Sequence, residues 1–208
     1  GLSDGGLATN AFKAFRDFTR LFPDSPLKTE VKLGVARTYE HEQDWPAAIT
    51  NYESWLMEYP TNDLRPQVEY ALGWANYQAG HETNALGLFT AFVAHFPTNE
   101  LAPRAQWWVA DHYFRLGGTN LLDAEKNYEL IFQTPAWKDS SLFYQAKLMA
   151  GLAAEARQGF PDAESYLTKL IADTSCPPAT MTQAMLAYGG LLMRTDSSDT
   201  NRPFANFE

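Results

Sequence analysis

The sequence predicts an all-α chain, folded as a right-handed superhelical solenoid of antiparallel helix pairs, with about ten helices. A repeat carries this prediction: the phrases LFPDSPL, EYPTNDL and HFPTNEL place a proline at Pro23, Pro60 and Pro97, a constant step of 37 residues. A fixed period in this range is typical of stacked structural units. Inside each unit the apolar residues recur three and four positions apart, which puts them on one face of a helix.

The first helix of each unit combines a small residue with an aromatic residue three or four positions later. The sets are Val35, Ala36 and Tyr39; Leu72, Gly73 and Tyr77; and Val109, Ala110 and Tyr113. Gly151 and Gly189 continue the series of small residues. Because paired helices approach closely at such positions, we expect each small residue to lie against the other helix of its pair.

The second helix of each unit carries an alanine that receives the facing helix, followed by large apolar residues. The alanines are Ala11, Ala48, Ala85, Ala124 and Ala163. The joints between paired helices, EQDWP, QAGHE and RLGGTN, contain the Gly, Asp, Asn and Pro that end one helix and begin the next.

These elements predict a single solenoid over residues 1–208 that is truncated at both ends. Its parts are a half unit at 8–23, units at 27–60, 64–97, 101–135 and 139–175, and a partial unit at 178–208. In the partial unit a first helix runs through Gln183, Leu186 and Gly189. The acidic segment TDSSDTN is then expected to form a long loop, and PFANFE to open a further helix.

The charge pattern restricts the classes of partner. The chain has 16 Lys and Arg against 25 Asp and Glu, a net charge of −9, and its basic residues are scattered. Binding to nucleic acid or to an anionic membrane surface requires clustered basic residues, so neither is expected. The longest apolar stretches, such as AMLAYGGLLM, fall short of the roughly 20 residues that span a bilayer, so no direct membrane insertion is expected.

Residues capable of catalysis or metal binding show no motif. His41, His81, His95 and His112 lie in different units without a second ligand at helical spacing, and we expect them to be solvated or at loop edges. Most carboxylates fall at helix starts or on outer faces, where the helix dipole favours them. Cys176 has no predictable base partner. The sequence therefore predicts no catalytic residue, no cofactor and no metal site.

The pattern resembles tetratricopeptide repeats (TPR): a small residue and an aromatic in the first helix, alanine and a large residue in the second, and a closing proline. The likeness covers about four units between residues 8 and 175. The 37-residue period and the FP-x-S/N-x-L-x-P phrase resemble a bacterial cell-envelope subgroup that includes the BamD- and YbgF-like proteins. This resemblance implies a periplasmic or envelope-associated scaffold without catalytic residues, although no lipid-acceptor cysteine lies near Gly1.

First helices line the concave side of such a superhelix, which is the expected binding surface. After the core positions are assigned, the middle of the chain retains a cluster of aromatic and charged residues on this side. Aromatic and arginine side chains dominate the energy of protein interfaces. The predicted groove for an extended peptide or a partner helix consists of Tyr70, Trp74, Tyr77, Trp107, Asp111, Phe114 and Arg115. In the alternative interpretation, Tyr70, Trp74 and Trp107 only pack against a neighbouring first helix.

The predicted function is therefore a non-enzymatic scaffold that binds a peptide or partner protein, as part of a larger bacterial envelope protein. Two alternatives stay open: the helical-repeat portion of an enzyme of the superhelical peptidoglycan lyase type, and that of a regulator, each with its active domain outside this chain. The helix AMLAYGGLLM is apolar on more than one face. A homodimer formed through the truncated ends is therefore a further possibility.

Overall fold

The computed structural model describes the backbone of residues 4–198, and within it the side chains of residue 10 and residues 12–194. The described range holds ten α-helices and no strand, which confirms the prediction of an all-α fold with about ten helices. The helices are α1 (Asp4–Leu21), α2 (Lys28–His41), α3 (Trp45–Glu58), α4 (Arg65–Gln78), α5 (Glu82–His95), α6 (Ala102–Leu116), α7 (Leu121–Gln133), α8 (Phe143–Ala156), α9 (Phe160–Ala172) and α10 (Pro178–Ser198).

The helices form two compact units, Gly1–Leu101 with α1 to α5 and Ala102–Glu208 with α6 to α10. In the first unit α2 pairs with α3 and α4 with α5, and α1 packs on α2. In the second unit α6 pairs with α7 and α8 with α9, while α10 packs on α9 and α8. These are the predicted helix pairs. That all units form one solenoid over residues 1–208 stays a prediction.

Each unit has its own apolar core. In the first unit Tyr52, Trp55 and Val68 are fully buried, and the indole nitrogen of Trp55 donates a hydrogen bond to the carbonyl of Thr29 at 2.8 Å. This bond ties the second helix of the pair to the start of the first. In the second unit the core contains Leu148, Leu167, Leu170 and Leu191 from α8, α9 and α10. Apolar residues at helical spacing thus lie where the repeat places them.

The small residues of the repeat mark close contacts between paired helices. A Cβ atom built on Gly73 would lie 3.0 Å from Phe89 of α5, and one built on Gly151 would lie 3.2 Å from Leu167 of α9. Ala48, Ala85, Ala124 and Ala163 are fully buried, while the side chain of Ala11 lies outside the described residues. A Cβ built on Gly189 meets nothing within 4 Å among the described residues. The second helix predicted to pair with it, at PFANFE, lies outside those residues.

The prediction that Tyr77 fills the aromatic position of α4 is wrong. Asn76, not Tyr77, occupies the place that Tyr39 and Tyr113 hold in α2 and α6, one step of the repeat away. Asn76 is 4% exposed, and its side-chain amide donates to the carbonyl of Leu72 at 2.9 Å. Tyr77, one residue further, is half-buried. Spacings of three and four share a helix face, so the sequence pattern did not separate the two residues.

The first helices α2, α4 and α8 end in the same backbone turn. Gln43, Gly80 and Gln158 have positive φ angles of 60°, 79° and 66°. The next amide in each case bonds a carbonyl five residues back, as in Asp44 to Tyr39 at 2.9 Å. This is the Schellman motif, in which glycine is favoured because it has no Cβ. Gln43 and Gln158 adopt the conformation at a cost.

Replacing Gln43 by glycine is expected to raise the free energy of unfolding by about 1 kcal/mol, because it relieves this left-handed strain. Urea melts of the purified chain measure the change. The matched reverse change is Gly80→Gln at the equivalent turn, which has a φ of 79° and should lose about the same amount. A Gln43→Gly variant that melts earlier than the parent would contradict this account.

The last helix extends beyond its predicted end. A loop was expected from Thr195, yet α10 continues to Ser198. Thr, Asp and Ser are weak helix formers, but no proline or glycine interrupts the chain between residues 191 and 198. The expected helix opening at PFANFE lies outside the described residues. On α10 the side chains of Met185, Leu186 and Met193 are 50%, 73% and 64% exposed, so the described part of the chain leaves apolar side chains of this helix accessible.

Candidate functional site

The predicted groove residues of the first unit lie on α4. Tyr70 is half-buried, with its ring edge-on to Phe89 at 5.3 Å and to Phe92 at 5.7 Å between centroids. It therefore contributes to packing between α4 and α5. Trp74 is 37% exposed, and its ring lies 5.6 Å from that of Tyr77 on the same helix. The pair of Trp74 and Tyr77 is the accessible aromatic surface of α4.

The predicted groove residues of the second unit lie on one face of α6. The rings of Trp107 and Phe114 are half-buried and meet Tyr128 of α7 edge-on, at 5.2 and 6.4 Å between centroids. Between them Asp111 forms an ion pair with Arg115 at 3.3 Å. The side chain of Asp111 is 42% exposed and that of Arg115 is 40% exposed. We call Trp107, Asp111, Phe114, Arg115 and Tyr128 the α6–α7 cluster. It combines aromatic rings with one exposed ion pair.

The hydroxyl of Tyr128 sets this cluster apart from the equivalent position of the first unit. In the α2–α3 pair the buried Tyr52 donates a hydrogen bond to Glu40. In the α6–α7 pair Phe114 takes the place of that glutamate, and the buried Tyr128 hydroxyl has no hydrogen-bond partner among the described residues. Burial raises the pKa of Tyr128, and the nearby Asp111 carboxylate raises it further. The hydroxyl is thus neutral, buried and unsatisfied.

Tyr128→Phe is expected to raise the free energy of unfolding by about 1 kcal/mol, because it removes a buried hydroxyl that makes no hydrogen bond. Phe89 shows that phenylalanine packs well at the matching position of α5. The matched control is Tyr52→Phe, which should lower stability by about 1 kcal/mol through loss of the bond to Glu40. Chemical denaturation measures the free energy of unfolding of both variants. If Tyr128→Phe and Tyr52→Phe changed it equally, the proposed difference between the two hydroxyls would be refuted.

A second cluster of charged residues ties α7, α8 and α9 together. Glu125 is 5% exposed and accepts two hydrogen bonds from Arg157, at 2.5 and 3.2 Å. Arg157 also pairs with Asp162, and these hydrogen bonds raise the pKa of its guanidinium. Tyr166 donates to Glu129 at 2.6 Å and lies 3.2 Å from Glu125. Every member has a partner within the unit, so this cluster is structural.

The sequence placed seven residues in one groove, and the structure assigns three of them to α4 and four to α6. Trp74 keeps an exposed surface, whereas Tyr70 and Trp107 contact the second helix of their own pair. Tyr128 is not among the groove residues that the sequence pattern singles out, so its buried hydroxyl was missed. The signal lay in the repeat, since Phe114 stands where Glu40 faces a tyrosine in the first full unit.

Three of the four histidines are exposed, and the fourth is buried. His41, His81 and His95 are exposed as expected, but His112 is 7% exposed and its ring stacks on Trp108 at 5.3 Å. Among the side chains that the structure describes, no group of three His, Cys, Asp or Glu residues could hold a metal ion. In the same range no helix is both long and apolar enough to cross a bilayer.

Comparison with known proteins identifies the repeat. Residues 70–119 match the family model of the tetratricopeptide repeat, and no curated protein matches the sequence. The structure resembles BtubC (BKLC) from P. vanneervenii, with 15% identity over 94% of this chain and 85% of that protein and a TM-score of 0.64. It also resembles a tetratricopeptide repeat protein from Parabacteroides merdae, with 17% identity, 93% and 72% coverage and a TM-score of 0.61.

At these identities the structural likeness concerns the fold alone. The match over residues 70–119 spans α5, most of α4 and all of α6. Both the matched repeat and the similar structures agree with the helix pairs described above. The chain therefore has the fold of tetratricopeptide repeat proteins, with a recognised repeat at residues 70–119.

Proposed function

We propose that this chain is a non-enzymatic module that binds another protein or a peptide. Tetratricopeptide repeats commonly mediate protein–protein interaction. The observation that supports the proposal most directly is Trp74, a tryptophan that remains 37% exposed on a first helix beside Tyr77. Large aromatic side chains left accessible on a folded surface are typical anchors of protein interfaces.

The binding surface is proposed to consist of two patches on first helices. In the first unit the patch is Tyr70, Trp74 and Tyr77 of α4. In the second unit it is Trp107, Asp111, Phe114 and Arg115 of α6. Both patches combine rings held in place by contacts within their own helix pair, which lowers the entropy lost when a partner binds.

The setting proposed for the module is a larger bacterial cell-envelope protein. This finer proposal is supported by the resemblance in repeat style, chiefly the FP-x-S/N-x-L phrase between units. Within that phrase the side chains of Asn62 and Asn99 each accept a hydrogen bond from the amide two residues later, at 2.9 Å. The phrase thus shapes the turn that begins each first helix.

A crosslinking pull-down from native cell envelope tests the proposed function. The parent chain is compared with a Trp74→Ala/Phe114→Ala variant, and loss of one specific partner is expected in the variant. The matched control is Met57→Ala/Leu130→Ala, which truncates two exposed apolar side chains on the second helices α3 and α7. A partner set that is the same for all three chains would contradict the proposal. Circular dichroism melts establish that each variant is folded.

We also propose that the apolar face of α10 supports pairing with a second copy of the chain. The support is the exposure of Leu186 and Met193 at 73% and 64%. Exposed apolar side chains that adjoin one another mark interaction surfaces. Light scattering across a concentration series should show the molar mass rising, and a Leu186→Glu/Met193→Glu variant should stay monomeric. A parent chain of constant monomer mass would refute the pairing.

A further inference from the structure

The α6–α7 cluster has the chemistry of a site for a cation. We propose that it binds the side chain of a lysine or arginine of the partner, held by the Asp111 carboxylate and the rings of Trp107 and Phe114. In the free chain Asp111 pairs instead with Arg115 of the same helix. The inference rests on the proposed function, because it names the chemistry of one of its patches.

Aromatic rings beside a carboxylate favour a positive charge for two reasons. The faces of Trp, Tyr and Phe rings attract cations, and the carboxylate pairs with them directly. Trp107, Asp111 and Phe114 follow one another at spacings of four and three on α6, so all three share one helix face. The same unit already contains such a contact, since Lys147 lies 4.5 Å from the ring centre of Phe143.

The Tyr128 hydroxyl supplies an independent observation. The hydroxyl is buried and makes no hydrogen bond among the described residues. The ring that carries it contacts the rings of Trp107 and Phe114. The hydroxyl oxygen has lone pairs that can accept an N–H group. An ammonium or guanidinium group that reached this oxygen would satisfy it. A neutral apolar side chain would not.

Arg115 is the ion-pair partner of Asp111 when no other protein is bound. Its guanidinium pairs with Asp111 at 3.3 Å, one helical turn along the same helix, and both side chains are well exposed. Exposed ion pairs of this spacing are weak, so the Asp111–Arg115 pair competes only slightly with an incoming cation for the carboxylate. The net charge of −9 also favours approach of a basic partner over an acidic one.

The test uses a defined probe and the intact chain. N-acetyl-L-lysine amide is titrated at constant ionic strength, and the Trp107 indole N–H is followed by nuclear magnetic resonance, with N-acetyl-L-glutamine amide as the neutral comparison. A saturable shift is expected for the lysine amide alone. Asp111→Asn should weaken it about tenfold. Arg115→Gln should tighten it severalfold, because the internal competitor is gone.

The matched control is Asp17→Asn/Arg20→Gln, which removes another exposed pair on one helix face and should leave the titration unchanged. Equal shifts with the glutamine amide would overturn the inference, as would an unchanged affinity in Asp111→Asn or a weaker one in Arg115→Gln. A Trp107 signal that shifts with protein concentration instead of probe would mean that a second copy covers the site, and would also overturn it.

The outcomes separate this inference from the proposed function. Suppose that the lysine amide binds at Trp107, but the Trp74→Ala/Phe114→Ala variant loses no partner in the pull-down. This result would support the cation site and contradict the interaction module. A partner that is lost in that variant but retained in full by Asp111→Asn would support the module and overturn the cation site.

Discussion

Arg157→Met is expected to lower the free energy of unfolding by about 3 kcal/mol, because it leaves the Glu125 carboxylate buried without its charged partner. The side chain of Glu125 is 7% exposed and that of Arg157 is 24% exposed, so water compensates little of the loss. The single bond that Tyr166 offers to Glu125 does not neutralise the charge. Urea melts of the purified variant measure the change.

Two controls identify the cause of that loss. The double variant Glu125→Met/Arg157→Met removes both charges, and it should return to within about 1 kcal/mol of the parent. Arg20→Met breaks an exposed pair with Asp17 whose side chains are 74% and 36% exposed, and should change stability by less than about 0.5 kcal/mol. An Arg157→Met chain as stable as the parent would show that the pair contributes nothing.

Gly73→Leu is expected to cost about 3 kcal/mol, because even the first side-chain carbon would lie 3.0 Å from the ring of the fully buried Phe89. The remaining atoms of leucine would force α4 and α5 apart. Ala85→Leu, at the fully buried alanine of α5, should be destabilising for the same reason. Denaturant midpoints with unchanged m-values would report the loss.

Gly87→Leu is the matched control for Gly73→Leu. Gly87 lies in the neighbouring helix α5, is exposed, and a Cβ built on it meets nothing within 4 Å. Leucine there should stabilise the chain by up to about 1 kcal/mol through its higher helix propensity. If both glycine variants were destabilised alike, loss of close helix packing could not be the reason.

The helix pairs were predictable because their packing repeats along the sequence. The 37-residue step aligns Ala36 with Gly73 and Ala110, and a small residue has one role in each pair: it admits the facing helix. The step also relates Gln43 to Gly80, so the strained turn at Gln43 could have been predicted from the sequence as well. Gly189 fits the same pattern, but the helix predicted to pack against it lies outside the described residues, so its role stays a prediction.

The candidate site was less predictable, because its properties depend on contacts between residues that the repeat does not fix. That Trp74 is exposed while Tyr70 packs against α5 follows from their positions on the helix surface, not from residue type. The hydroxyl of Tyr128 has no partner among the described residues because Phe114 stands where the α2–α3 pair has Glu40. The bond between Glu125 and Arg157 joins residues 32 positions apart, one in α7 and the other in the joint after α8.

The short joints within the α2–α3, α4–α5 and α8–α9 pairs also affect how the chain folds. Paired helices follow one another directly, with only residues 42–44, 79–81 and 157–159 between them. Closing such small loops costs little chain entropy, and topologies dominated by local contacts fold fast. The two helices of each pair can therefore meet early during synthesis. For α2 and α3 the core is completed only when Val68 of α4 has also left the ribosome, because that residue is buried with Tyr52 and Trp55.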